Sequence, residues 1–143
     1  MAWKGQAVEW TRPAGNVARG VGALRALFDS TILIDYLNGI KAAKAELARY
    51  EAPAISAITW IEVMVGASPE AEPATRSFLA NFERLEVSDA ISEKAVAIRR
   101  AMGLRIPDAI ILATAQSENL VLVTRNSKDF GPASPGIRIP YKL

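Results

Sequence analysis

Four carboxylates stand in or beside the four most apolar stretches of this 143-residue sequence: Asp29, Glu62, Asp108 and Asp129. Asp29 closes the run Ala26-Leu27-Phe28, and Glu62 is flanked by Trp60, Ile61, Val63 and Met64. Asp108 opens the stretch Ala109–Gln116, and Asp129 follows Leu120-Val121-Leu122-Val123 by way of Thr124-Arg125-Asn126. Each acid alone has an ordinary explanation. Asp108 after Pro107 suits a helix N-terminus, Asp129 can cap a turn with Asn126 and Ser127, and Glu62 can snorkel from an exposed helix stripe. Asp29 resists such an explanation, because a charge abutting a buried strand is costly unless it is paired or metal-bound. Together the four exceed what placement on a solvated surface gives. If they converge, they cannot all ionise at close range without a cation.

Composition narrows the chemistry. The chain has no cysteine and no histidine, which excludes disulfides, thiolate or imidazole zinc sites, cysteine nucleophiles and Ser-His-Asp catalysis. Oxygen-only ligands select a hard ion, Mg²⁺ or Mn²⁺. One or two such ions activate a water and stabilise the attacking and leaving oxygens of a phosphodiester, with no histidine required.

The elements that must position these acids follow from the apolar pattern. Ala26–Phe28 reads as a buried strand. Ser30 is the expected N-cap of a helix over Ile32–Asn38 that stops at Gly39, and a second helix is expected over Ala42–Tyr50. A short strand, Ala54–Ser56, leads to a helix from Thr59, which caps or opens it, to Val65. Further helices are expected over Pro69–Phe82, from Ser88 or Asp89 to Met102, and over Ala109–Gln116. Further strands are expected over Arg84–Val87, Leu120–Val123 and, at an edge, Gly136–Ile139. Tyr36, Leu37, Tyr50, Trp60, Phe78 and Phe82 are read as core by default. Short apolar strands alternating with helices predict an α/β domain, a three-layer α/β/α arrangement around a central, mostly parallel sheet. In such sheets ligands bind at the carboxyl ends of the strands, where Asp29 and Thr124 fall.

Residues 1–23 are expected to lie outside this domain, which then spans 24–143. Gly5, Pro13, Gly15, Gly20 and Gly22 interrupt any regular element there, and Val21 is one candidate for the true start. The segment has no secretory h-region, and no apolar run approaches the roughly 20 residues of a membrane helix, so the expectation is a cytoplasmic protein. Net charge is +2, from 17 Lys+Arg against 15 Asp+Glu. Residues 1–25 hold Lys4, Arg12, Arg19 and Arg25 against Glu9 alone, so the remaining chain is close to neutral.

At the four acids the sequence resembles the PIN-domain family, most closely the VapC-type toxins of toxin–antitoxin pairs. The family's apolar strand with Asp-Thr-Asn is similar to Leu27-Phe28-Asp29-Ser30-Thr31-Ile32. Its Ser-ended strand and Glu-bearing helix are similar to Ile55-Ser56 through Glu62 and Gly66. Its Asp-led, Ala-rich helix resembles Pro107-Asp108-Ala109-Ile110-Ile111-Leu112-Ala113, and its Thr-Arg-Asn with Asp-Phe resembles Thr124-Arg125-Asn126 and Asp129-Phe130. The likeness covers about residues 26–139. It implies a PIN-like fold and a Mg²⁺- or Mn²⁺-dependent endoribonuclease. The enzyme would be a homodimer held inactive by a VapB-like antitoxin. By position it implies Asp29, Glu62, Asp108 and Asp129 as metal-binding carboxylates, with Asp29 and Asp108 the direct ligands. Thr31, Thr124, Arg125 and Asn126 would contact substrate phosphate or support the ligands from behind, and Lys128 and Arg105 are further cations suited to phosphate. Thr31 departs from the family's Asn, so the bond that amide would make must come from a hydroxyl or be lost. Asp35 also matches a family position, but six residues past Asp29 it faces elsewhere and is read as structural. Receiver domains and haloacid-dehalogenase-like phosphatases fit less well, since no acid pair closes an early strand and Thr31 stands where the latter need a second Asp. The remaining alternative is a non-catalytic PIN-like module that binds RNA or protein.

Overall fold

The computed structural model describes residues 25–131 and 135–143. The expected extension over residues 1–23, with its candidate start at Val21, lies outside the described residues. Among the described residues five strands form one sheet: β1 (Ala26–Phe28), β2 (Ala54–Ser56), β3 (Glu83–Leu85), β4 (Val121–Val123) and β5 (Ile137–Arg138). Their order is β3-β2-β1-β4-β5 and every pairing is parallel, with Leu27 opposite both Ala54 and Leu122. Seven helices connect them: α1 (Ser30–Leu37), α2 (Lys41–Leu47), α3 (Ala57–Val65), α4 (Glu72–Leu79), α5 (Asp89–Met102), α6 (Ile106–Ser117) and α7 (Ser127–Phe130).

The period-2 alternation of the strands splits the apolar residues between two cores. Ala26, Phe28, Ile55 and Val123 face one layer, where they meet Ile32 and Leu33 of α1, Leu47 of α2, Val63 of α3 and Phe78 of α4. Leu27, Ala54 and Leu122 face the other, against Ile91, Ala95 and Ile98 of α5, Ile111 and Leu112 of α6 and Phe130 of α7. Strands buried on both faces need no polar alternation, which is why β1 is apolar throughout and β2 is apolar up to Ser56, whose hydroxyl caps the next helix. The result is the expected three-layer α/β/α domain. Leu37, Tyr50, Phe78 and Phe82 are buried, while Tyr36 and Trp60 pack partly buried against the first core. Phe28 lies edge-on to Tyr50 and Phe82 at 5.4 and 6.2 Å.

Several element ends differ from expectation, each for a local reason. Helix α1 starts at Ser30, and its N-cap residue is Asp29, whose carboxylate makes no cap bond because it is held by hydroxyls described below. Helix α3 is capped by Ser56, whose hydroxyl accepts from the Ile58 amide at 3.1 Å, so Thr59 lies inside the helix. The α2 helix stops at Leu47, and Tyr50 turns inward to donate to Glu46 at 2.9 Å. Residues 69–71 form a turn ahead of α4, held by the Ser68 hydroxyl accepting from the Ala71 amide at 3.2 Å. Helix α6 opens at Ile106, two residues before Asp108. Helix α7 was not expected; the Asn126 side chain caps it by accepting from the Asp129 amide at 3.2 Å.

Candidate functional site

The chain leaves β1 toward β2 on one side of the sheet and places β4 on the other, so the strand order reverses between β1 and β4. Ligand crevices form outside the carboxyl ends of strands at such a reversal. Asp29 and Thr124 follow those two strand ends directly, and the Asp29 amide donates to the Val123 carbonyl at 2.9 Å. Asp29 is only 3% exposed. Its Oδ2 accepts two hydroxyl bonds, from Thr124 Oγ1 at 2.7 Å and Thr31 Oγ1 at 3.0 Å. Both hydroxyls are in turn acceptors: the Asn126 amide donates to Thr124 Oγ1 at 3.0 Å, and the Arg125 amide to Thr31 Oγ1 at 3.1 Å. A hydroxyl has one proton, and an amide arriving on its lone pair helps aim that proton at Asp29. The bond that Thr31 puts in question is therefore made, by the hydroxyl.

Glu62 on α3 and Asp108 on α6 complete the neighbourhood. Burial raises the Glu62 carboxyl above its ordinary range; the charges of Asp29 and Asp108 add to this, while a Ser30 hydrogen bond and Arg105 oppose it. Burial likewise raises Asp108, helped by Asp29 and Asp129 and opposed by Arg105. Glu62 Oε1 and Asp108 Oδ2 are buried without a hydrogen-bond partner among the described residues, although Arg105 Nε stands 3.5 Å from the latter as an ion pair. Asp129 is exposed on α7, where its Oδ2 accepts from Asn126 Nδ2 at 2.9 Å. Asp29, Glu62 and Asp108 thus feel one another's charge, with Asp129 coupled to Asp108 from the rim.

Among the described residues no group of three acids is already gathered at metal-ligating spacing. The donor chemistry still fits a hard divalent ion. The side chains supply only oxygen, two buried carboxylate oxygens have no hydrogen-bond donor, and mutual charge penalises the ionised forms that a cation would favour.

Arg125 is placed differently from a free phosphate-binding cation. Its Nε and Nη2 donate to the two oxygens of the buried Asp35 at 2.7 and 3.0 Å, and Tyr141 Oη donates to Asp35 Oδ2 at 2.9 Å. Asp35 raises the Arg125 guanidinium above its ordinary value. Arg105 and Lys128 are exposed beside Asp108 and Asp129 in sequence. The sequence reading missed two participants, Ser30 behind Glu62 and Tyr141 behind Asp35. Ser30 was read as a cap because its type suits one, and nothing local marks Tyr141.

A family model described as PIN domain matches residues 26–131. No match is found among curated proteins. Among solved structures, a toxin–antitoxin complex from Klebsiella pneumoniae contains a chain 48% identical, with a TM-score of 0.79, covering 82% of this chain and 99% of that one. FitAcB from Neisseria gonorrhoeae matches at 22% identity and TM-score 0.70, over 82% of this chain and 99% of that one. DNA-bound VapBC from Salmonella typhimurium matches at 24% and 0.67, over 83% and 98%. The last two show likeness of fold alone.

Proposed function

The chain belongs to the PIN-domain family, and from that premise we propose that it is a Mg²⁺- or Mn²⁺-dependent endoribonuclease acting as the toxin of a toxin–antitoxin pair. The observation that carries this reading is Asp29, buried at the reversal of the sheet and gripped by two threonine hydroxyls, with unpartnered oxygens of Glu62 and Asp108 in its electrostatic reach. Asp29 and Asp108 are the direct ligands in this reading, with Glu62 and Asp129 completing the acidic set. A bound divalent ion supplies an acidified water and offsets charge on the phosphodiester oxygens. The chain's own groups do the rest. Thr31 and Thr124 fix the carboxylate of Asp29. Glu62, made more basic by burial, holds at its carboxylate the proton leaving the attacking water. Arg105, Lys128 and Asn126 meet the phosphates at the rim.

The 48% identical chain in a toxin–antitoxin complex supports an antitoxin as partner, here a VapB-like protein. A second copy of the chain is the other partner, in keeping with the exposed Ile106, Met102, Val96, Ile61 and Val65. Among the described residues no helix is long and apolar enough to cross a membrane, and the proposed place of action is the cytoplasm. One observation favours a non-catalytic binding module instead, namely that among the described residues no three acids are already gathered.

Cleavage of total RNA separates the two readings. Purified protein, free of antitoxin, is expected to cut RNA with Mn²⁺ or Mg²⁺ and to stop in EDTA. The Asp29→Asn variant should lose at least about 100-fold of that activity, as expected when a group supplying several kcal/mol is removed. Cleavage that survives in chelator or in Asp29→Asn would overturn the assignment.

A further inference from the structure

Two knots of the same composition fasten the end of the described chain to the helices. In one, Asp35 of α1 takes both nitrogens of the Arg125 fork and the Tyr141 hydroxyl. In the other, Glu46 of α2 takes the Arg138 fork at 2.7 and 3.0 Å and the Tyr50 hydroxyl at 2.9 Å. Both carboxylates are buried. Fork-to-carboxylate pairs fix orientation as well as distance. The first knot reaches the candidate site through a bond to a side-chain hydroxyl that holds Asp29, the second only through a main-chain sheet bond, from the Thr124 amide to the Arg138 carbonyl at 3.0 Å.

We propose that Arg125, clamped by Asp35 and Tyr141, is a positioning residue for Asp29, acting through its own main-chain amide and Thr31. The path is continuous: the Asp35 carboxylate anchors the Arg125 side chain, the Arg125 amide donates to Thr31 Oγ1 at 3.1 Å, and Thr31 Oγ1 donates to Asp29 Oδ2 at 3.0 Å. An amide on the lone pair of Thr31 leaves its hydroxyl proton for the carboxylate. Released from that amide, the hydroxyl rotates freely and Asp29 keeps one directed donor, Thr124. Arg125 thereby gives its fork to Asp35 and its main-chain amide to the hydroxyl that holds Asp29. This role deepens the nuclease reading and rests on it, because Asp29 is there a metal ligand.

The test compares the two knots in the full chain. Asp35→Asn and Glu46→Gln each loosen one knot and should both lower Tm. Only Asp35→Asn should weaken Mn²⁺ binding, measured by calorimetry, by about tenfold, the lower end of losses seen when a group supporting a metal ligand is removed. In the metal-free protein it should also speed hydrogen exchange at the Arg125 amide, which Glu46→Gln should leave slow. Tyr141→Phe keeps the ion pair and serves if Asp35→Asn does not fold; its loss of affinity should exceed that of Tyr50→Phe. Mn²⁺ affinity unchanged in Asp35→Asn, or lost equally in Glu46→Gln, would overturn the positioning role while leaving the nuclease reading intact. A wild-type chain that binds no Mn²⁺ would overturn both.

Discussion

At Glu62 and Asp108 burial and neighbouring carboxylates push in one direction, so the folded, metal-free chain holds their protons more tightly than the unfolded chain does. The consequence for stability has a definite sign. With pKa raised on folding, the penalty is absent below the ordinary carboxylate range and grows as pH rises through the raised values. Metal-free protein should therefore lose stability on going from acidic to neutral pH through these two groups. Asp108→Asn should remove part of that loss, raising Tm at pH 7 without metal. With Mn²⁺ at 100 times its Kd the order should reverse, because the wild-type chain gains about 2.7 kcal/mol and the variant gains less. Thermal melts over pH, with and without Mn²⁺, check both halves. The acids themselves were legible in the sequence because charge beside apolar runs is costly and therefore conspicuous. Their supports were not. Asp35 meets Arg125 across 90 residues and Tyr141 across 106, and no local pattern encodes such a meeting. Thr59, fully buried with an unpartnered hydroxyl, read as a helix cap from its type alone, and nothing in the structure explains that hydroxyl.

Among the elements, the existence and kind of nearly every strand and helix followed from apolar runs and breakers, whereas their starts depended on which hydroxyl finds which amide. Ser88 caps α5 by accepting from the Ile91 amide at 3.1 Å, and Gly103 ends that helix at φ +72°, both as the sequence suggests. Ser30 has an equally suitable type, yet it sits inside the first turn of α1 and turns to Glu62. Ser88→Ala should cost about 1 kcal/mol of stability in denaturant unfolding, the usual loss of an N-cap. Ser30→Ala removes no cap, so its effect should appear at the acidic site, as a further rise in the Glu62 pKa measured by NMR titration. Helix α7 escaped the sequence reading because four residues cannot show a helical period, and its cap residue Asn126 looked like a turn former. The guanidinium groups of Arg84 and Arg76 both lie over the Trp60 ring, at 4.7 and 5.5 Å from its centroid, which ties α3, the carrier of Glu62, to β3 and α4.

For the whole molecule, two cores divided by one thin sheet leave several large apolar side chains outside. Ile106 is 64% exposed and Val65 80%. A cleft of about 250 Å³ between α5 and α6, lined by Val96, Ile106, Ala109 and Ile110, adds to that apolar surface. Isolated exposed aliphatics are ordinary, but grouped ones mark interaction surfaces. Light scattering of the purified chain should return twice its 15.4 kDa mass; a clean monomer would count against the second copy as partner. The apolar pattern foretold the layers, the aromatic residues read as core pack in or against it, and the large apolar side chains left exposed are aliphatic or thioether. The parallel topology has a consequence in time as well as in space. Asp29 is made before the Thr124 hydroxyl that holds it, which lies 95 residues later, and β1 gains its β4 neighbour only when that stretch has been released from the ribosome. Parallel sheets defer such distant pairings. For a chain that cuts RNA as proposed, the nascent polypeptide stays unarmed beside the messenger that encodes it until residues 121–124 have emerged.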